Sequence, residues 1–220
     1  MADNKKLIWD IPTRLFHWAI VITLGYSWYS MEIANDLEQH FLSGYVALGL
    51  IVFRIVWGLV GTRYARFSSF LIRPSEIVAY AKTLASKESR QYAGHNPLGS
   101  LSVLALLLFI LVQAGTGMFA DDEYYFFAPL NQFVSPATAG SITEFHGLSA
   151  KIILGLSILH ILAIVFYRLI KKEKLVLAMI TGKKPDVLDN YEPIAGSRLL
   201  RATVLAIIVA AGVYGVVNYV

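Results

Sequence analysis

The sequence predicts an all-α fold, a polytopic bundle of membrane-spanning helices, on three observations. Hydrophobic residues make up 56% of its 220 residues. Only 15% are charged, against about a quarter in soluble domains, and the mean hydropathy is +0.58. Five apolar runs, at about 15–33, 41–60, 98–119, 147–170 and 199–218, each reach the roughly 20 residues a helix needs to cross a bilayer core. They are read as one membrane-integral domain over residues 1–220.

The first run follows the mildly basic MADNKKLIWDIPTR, and no small-residue cleavage site comes after it, so it is expected to be a retained helix rather than a signal peptide. The second starts beside His40 and stops at Gly61. Pro97 precedes the third, at a position where a first-turn proline is tolerated. The fourth contains two histidines, and the fifth is generic. Trp18, Trp28, Tyr29, Trp57 and Tyr64 supply aromatic belts near the expected interfaces.

Two connections have character. RPSEIVAYAKTLASKES, from Arg73, places Ile77, Tyr80, Ala81 and Leu84 on one face and predicts a short interfacial helix. ADDEYYFFAPLNQFVSPATAG, from Ala120, is acidic and aromatic. It reads as a packed connection, a lid over the outer end of the bundle or a docking surface.

Charge sets the expected orientation. Seventeen of the nineteen Lys and Arg lie before the first run, between the second and third, or between the fourth and fifth, counting the flanking Arg14, Arg168, Arg198 and Arg201. The other two connections carry acids only: Glu32, Asp36 and Glu38 in one, Asp121, Asp122, Glu123 and Glu144 in the other. The excess of positive charge inside then puts the N-terminus in the cytoplasm and the C-terminus outside. The net charge of +4 is therefore topological, and no nucleic-acid groove is expected. With no cysteine, the chain itself offers no disulfide, thiolate metal site or covalently attached haem.

Ionisable side chains at membrane depth are costly and mark function. HGLSAKIILGLSILH, residues 146–160, has two of them. Fourteen residues of helix separate His146 and His160 by about 21 Å along the axis and only about 40° around it. They share a face at two depths. In the expected orientation His17 lies near the cytoplasmic end of the first span and His40 at the outer end of the second, so His17 pairs in depth with His160, and His40 with His146.

Two imidazoles from facing helices at one depth form the ligand set of a six-coordinate haem iron, and two such pairs would hold two haems. A zinc or copper site needs three or four ligands at one depth, which requires Glu38 or Glu144 to join His40 and His146. Gly44, Gly49, Gly115 and Gly117 would let either a macrocycle or a neighbouring helix approach the backbone. Arg14 and Arg54 are candidate partners for haem propionates at the inner site. Lys151 either serves the outer haem or snorkels. His95, in GHNPLG before the third run, is expected beside the inner haem or in a quinone pocket that also includes Arg14.

WDIPTRLFHW (9–18), HFLSGYVALGLIVFRIVWGLVGTRYARFSSF (40–70), GHNPLGSLSVLALLLFILVQAGTGMF (94–119) and HGLSAKIILGLSILH (146–160) resemble the bacterial cytochrome b561 family, which includes the b-type cytochrome subunits of nickel-iron hydrogenases. The resemblance covers about residues 7–184. It implies a four-helix haem-binding core with a fifth C-terminal transmembrane helix, and two haem b groups, one on His17 and His160 and the other on His40 and His146. It further implies electron exchange in the bacterial cytoplasmic (inner) membrane between quinone and a redox partner, a periplasmic c-type cytochrome or an oxidoreductase subunit. A homodimer stays open. Two rival readings are an enzyme passing electrons from superoxide to quinone, disfavoured by the acidic outer connections, and a haem-free scaffold or metal-binding module.

Overall fold

A computed structural model describes residues 5–84, 92–121, 126–185, 191–194 and 196–220. Residues 85–89 of the expected interfacial helix and Asp122, Glu123, Tyr124 and Tyr125 of the acidic connection lie outside the described residues.

Among the described residues seven α-helices appear in chain order: α1 (Ile11–Glu32), α2 (Leu37–Val60), α3 (Pro74–Lys82), α4 (Pro97–Gly117), α5 (Pro136–Leu169), α6 (Leu175–Thr181) and α7 (Leu199–Tyr219). Among the described residues α2, α4, α5 and α7 are both long and apolar enough to cross a membrane. The chain is thus a multi-pass helical membrane protein. The 22 residues of α1 have the length as well, about 33 Å at 1.5 Å per residue, but serines and polar aromatics dilute their hydropathy.

Local chemistry explains the helix ends. Asp10 caps α1, accepting from the Thr13 amide at 2.7 Å, with Pro12 in the first turn where no amide is needed. Asp36 accepts from the Gln39 amide at 3.0 Å at the start of α2. Asn96 accepts from the Gly99 amide at 2.8 Å, and Pro97 is the first residue of α4.

The fourth span departs most from expectation. Its helix starts at Pro136, not near 147, with the Ser135 hydroxyl accepting from the Thr138 amide at 3.2 Å. The first turns, PATAGSITEF, are too polar to register as a bilayer crossing, yet nothing in them breaks a helix. At 34 residues α5 is about 51 Å long, well beyond an apolar core of about 30 Å.

The chain divides into two compact units. The first comprises residues 1–15, 56–105 and 156–202. It contains a two-residue antiparallel ladder, β1 (Lys6–Leu7) against β2 (Lys183–Lys184), with Lys6 opposite Lys184 and Leu7 opposite Lys183. Pairs this short have no period to read from sequence. Ile8, Trp9, Tyr64, Ala93 and Ala178 form its core, flanked by Met179, Tyr191 and Ile194. Lys184 donates to the carbonyls of Tyr92 (3.2 Å) and Gly94 (3.0 Å), and burial pushes its ammonium pKa down.

In the same unit the Asp10 carboxylate is fully buried and also accepts from Trp57 Nε1 (3.1 Å) and the Thr62 hydroxyl (2.6 Å), tying the start of α1 to the end of α2. Tyr80 of α3 and Tyr167 of α5 meet hydroxyl to hydroxyl at 3.1 Å. Gly182 ends α6 in the left-handed region, φ +80°, donating to the Ala178 carbonyl while its own carbonyl accepts from the amides of Ile8 and Trp9. A Cβ there would lie 2.6 Å from the Trp9 carbonyl oxygen. Gly182→Ala is expected to cost on the order of 2 kcal/mol, checked by thermal unfolding in detergent, whereas Gly212→Ala, which meets nothing within 4 Å on α7, serves as the near-neutral control.

The second unit comprises residues 16–55, 106–155 and 203–220. Ile20, Ala47, Ile51, Leu107, Ile110 and Ile153 are buried in it, and Ser149 of α5 is fully buried.

Candidate haem-ligand site

In the second unit α2 and α5 bring His40 and His146 together, with ring centres 6.2 Å apart and planes at 89°. Two imidazoles binding one metal from opposite sides, with metal–nitrogen bonds of about 2.0–2.1 Å and each ring centre about 1.1 Å behind its nitrogen, have centres about 6.2–6.4 Å apart. The observed separation fits such a pair.

Hydrogen bonds assign the ring nitrogens. His40 Nδ1 lies 3.0 Å from the Ser27 carbonyl of α1, which can only accept, so the imidazole proton sits there, with the Ser27 hydroxyl 3.2 Å away. Nε2 of His40 keeps its lone pair. His146 is held by α4: Thr116 Oγ1 lies 3.0 Å from Nδ1, and Gln113 Nε2 donates to Nε2 at 2.9 Å. An amide N–H can donate only to an unprotonated nitrogen, so His146 has the same tautomer. Both histidines thus present the nitrogen suited to iron while Nδ1 is anchored, the arrangement that fixes ring orientation in metal sites. Gln113 and a bound metal would compete for His146 Nε2. Gln113 Oε1 is buried without a hydrogen-bond partner, and its flexible side chain can turn aside.

Gly117 has a sharper role than the sequence suggests. A Cβ there would lie 3.0 Å from His146 Cε1, so its missing side chain makes room for the imidazole itself. Gly44 and Gly115 face open space, with nothing within 4 Å of a built Cβ, and Gly49 meets Val213 of α7 at 3.9 Å. Glu38 and Glu144 are exposed, and among the described residues no group of three His, Asp or Glu is arranged to hold a metal. The zinc or copper alternative therefore finds no third ligand there.

His17 belongs to the second unit and His160 to the first. The His17 ring meets Trp18 edge-on at 4.9 Å, and His160 Nδ1 lies 3.5 Å from the Ser102 hydroxyl of α4. Arg54, 3% exposed on α2, is a buried cation within the second unit, whereas Lys151 is exposed on α5.

Two residues assigned to the inner end have structural work in the first unit. Arg14 Nη1 donates to the Ile180 carbonyl at 2.6 Å, satisfying the last turn of α6. His95 is wedged between Trp9 and Phe70, with ring centres 4.7 and 4.9 Å away. Sequence reasoning missed Ser27, Gln113 and Thr116. A hydroxyl or amide on an otherwise apolar helix was the available signal, one that equally marks ordinary helix packing.

Comparison with known proteins identifies a family. The family model described as prokaryotic cytochrome b561 matches residues 8–182, a range that contains His17, His40, His146 and His160 and stops before α7. A probable Ni/Fe-hydrogenase B-type cytochrome subunit from Rhizobium leguminosarum bv. viciae is 22% identical over 214 residues, covering 80% of this chain and 87% of that protein. One of the same description from Azotobacter vinelandii is 30% identical over 129 residues, 46% of this chain and 52% of that protein. The chain thus spans about half the length of the Azotobacter relative. No solved structure matches. With the family match running through most of its length, from before α1 to the end of α6, the chain belongs to the prokaryotic cytochrome b561 family.

Proposed function

We propose that the protein is a dihaem cytochrome b of the bacterial cytoplasmic membrane that carries electrons between the quinone pool and an extracytoplasmic redox partner, an oxidoreductase subunit of the hydrogenase kind or a c-type cytochrome. The observation that carries this reading is the His40–His146 pair, spaced at 6.2 Å with both Nδ1 atoms engaged. The His17–His160 pair rests on the helical spacing and the charge-set topology of the sequence. Relatives described as hydrogenase B-type cytochrome subunits support the hydrogenase kind of partner.

When bound, haem supplies a one-electron ferric/ferrous couple. The chain's own residues do the rest. Ser27 and Thr116 hold the two imidazoles in one tautomer, and Arg54 offers a buried positive charge to a propionate. In this reading α1 is the fifth crossing, supported by the outward row Leu15, Trp18, Ile22, Tyr26 and Tyr29 at helical spacing. The N-terminus is cytoplasmic and the C-terminus periplasmic. The quinone pocket lies at the inner end, where Arg14 and His95, already fixed by Ile180 and by Trp9 and Phe70, would form its wall.

Stopped-flow mixing of the reduced protein with ubiquinone and menaquinone analogues tests the proposal. Oxidation of both haems within the mixing experiment is the expected result. Reduced haems that no quinone oxidises would overturn it.

A further inference from the structure

We infer that Thr116 is a positioning residue that sets the electron-donating strength of the His146 imidazole and, through it, the potential of the haem held by His40 and His146. The inference rests on the ligand reading above. Thr116 Oγ1 donates to the Val112 carbonyl at 2.8 Å, with the Gln113 carbonyl at 3.1 Å sharing the same hydrogen. A hydroxyl has one hydrogen, so toward His146 Nδ1 it has only lone pairs to offer. The Gln113 amide on the opposite nitrogen independently requires the proton to be at Nδ1. Thr116 is therefore an acceptor for that proton, beside the Gln113 main chain, which also hydrogen-bonds the ring.

Back-bonding to a carbonyl one turn earlier is ordinary for a threonine in a helix. What is not ordinary is that the back-bond leaves the oxygen aimed at an imidazole N–H. Drawing on that N–H makes the ring more imidazolate-like and a stronger donor to iron, which favours the ferric state. The two ligands differ in how they are anchored. His40 leans on the main-chain carbonyl of Ser27, which no substitution at Ser27 removes, whereas at His146 a side-chain hydroxyl shares the ring with the Gln113 main chain, so that part of the anchor can be removed by substitution. The potential of this site is thus adjustable at residue 116.

Thr116→Val keeps the shape and removes the acceptor; Thr116→Ser keeps the acceptor. Redox titration of the purified holoprotein, followed optically and by electron paramagnetic resonance of the low-spin ferric signals, reads each haem separately. The expected result is that Thr116→Val raises the midpoint of one haem and leaves the other where it was, while Thr116→Ser matches the wild type. Unchanged midpoints with both haems bound, or an equal shift of both haems, would overturn the inference. If Thr116→Val loses that haem, the comparison moves to Thr116→Ser against Thr116→Ala: retention in Ser alone supports the inference, and equal behaviour of the two overturns it. His146→Ala separates the two levels. Loss of one haem in His146→Ala with no effect of Thr116→Val sinks only the inference, whereas retention of both haems in His146→Ala sinks the ligand reading beneath it.

Discussion

Replacing His40 or His146 with alanine is expected to remove one haem per chain and leave the other, so that the haem-to-protein ratio, measured by pyridine haemochrome, falls to about half. In the proposed reading two imidazoles share one site, and an iron left with a single protein nitrogen would lose the second strong ligand that holds it low-spin. The two substitutions should therefore give the same loss, and the double variant should lose no more than either single variant, because residues that act as a unit are not additive. His17→Ala and His160→Ala should remove the other haem, so that one variant from each pair together empties the protein. A substitution in α2 that left haem content untouched would break the pairing of His40 with His146. Gly117→Val offers a milder version: its side chain would occupy the space of His146 Cε1, so partial loss of the same haem is expected with the ligands themselves intact.

The sequence and the structure agree where one physical signal dominates. Long apolar runs located α2, α4 and α7 to within a few residues, because a bilayer leaves little else for such runs to do. The fourteen-residue spacing of His146 and His160 falls within one continuous helix, α5. Signals that compete left less trace. The outer turns of α5 are helical but polar, so a hydropathy criterion stopped short of Pro136. The seven residues of α6 are apolar but too short to distinguish from a buried loop, and their stop signal, Gly182, looks like any other glycine until its positive φ is seen. The contact of Arg14 with the last turn of α6 left no trace in the sequence, because it depends on a helix the sequence did not announce. Thr116 and Gln113 were hidden for a different reason: their roles follow from which hydrogen goes where, and that depends on a neighbour thirty or more residues away in sequence.

The largest expected loss of stability, as opposed to haem, lies at Asp10. This carboxylate is fully buried and gathers three donors from three places: the Thr13 amide at the start of α1, the Trp57 indole near the end of α2, and the Thr62 hydroxyl just beyond it. Asp10→Ala removes a helix cap, about 1 kcal/mol, and strands a buried indole N–H and a buried hydroxyl, each about 1–3 kcal/mol. A destabilisation on the order of 4 kcal/mol follows if the hydroxyl finds no new partner. Asp10→Asn tests the accounting, since its amide oxygen can still accept from Thr13 while its NH2 faces the indole N–H donor to donor. It should therefore recover the cap, about 1 kcal/mol, and little more. Asp10 also precedes His17 by seven residues, about 10 Å along the helix axis. Thermal unfolding in detergent, followed at the haem absorbance, should show the signal of the His17 haem failing before that of the His40–His146 site. Loss of both signals together at the wild-type temperature would mean that this carboxylate does not hold the start of α1 at all.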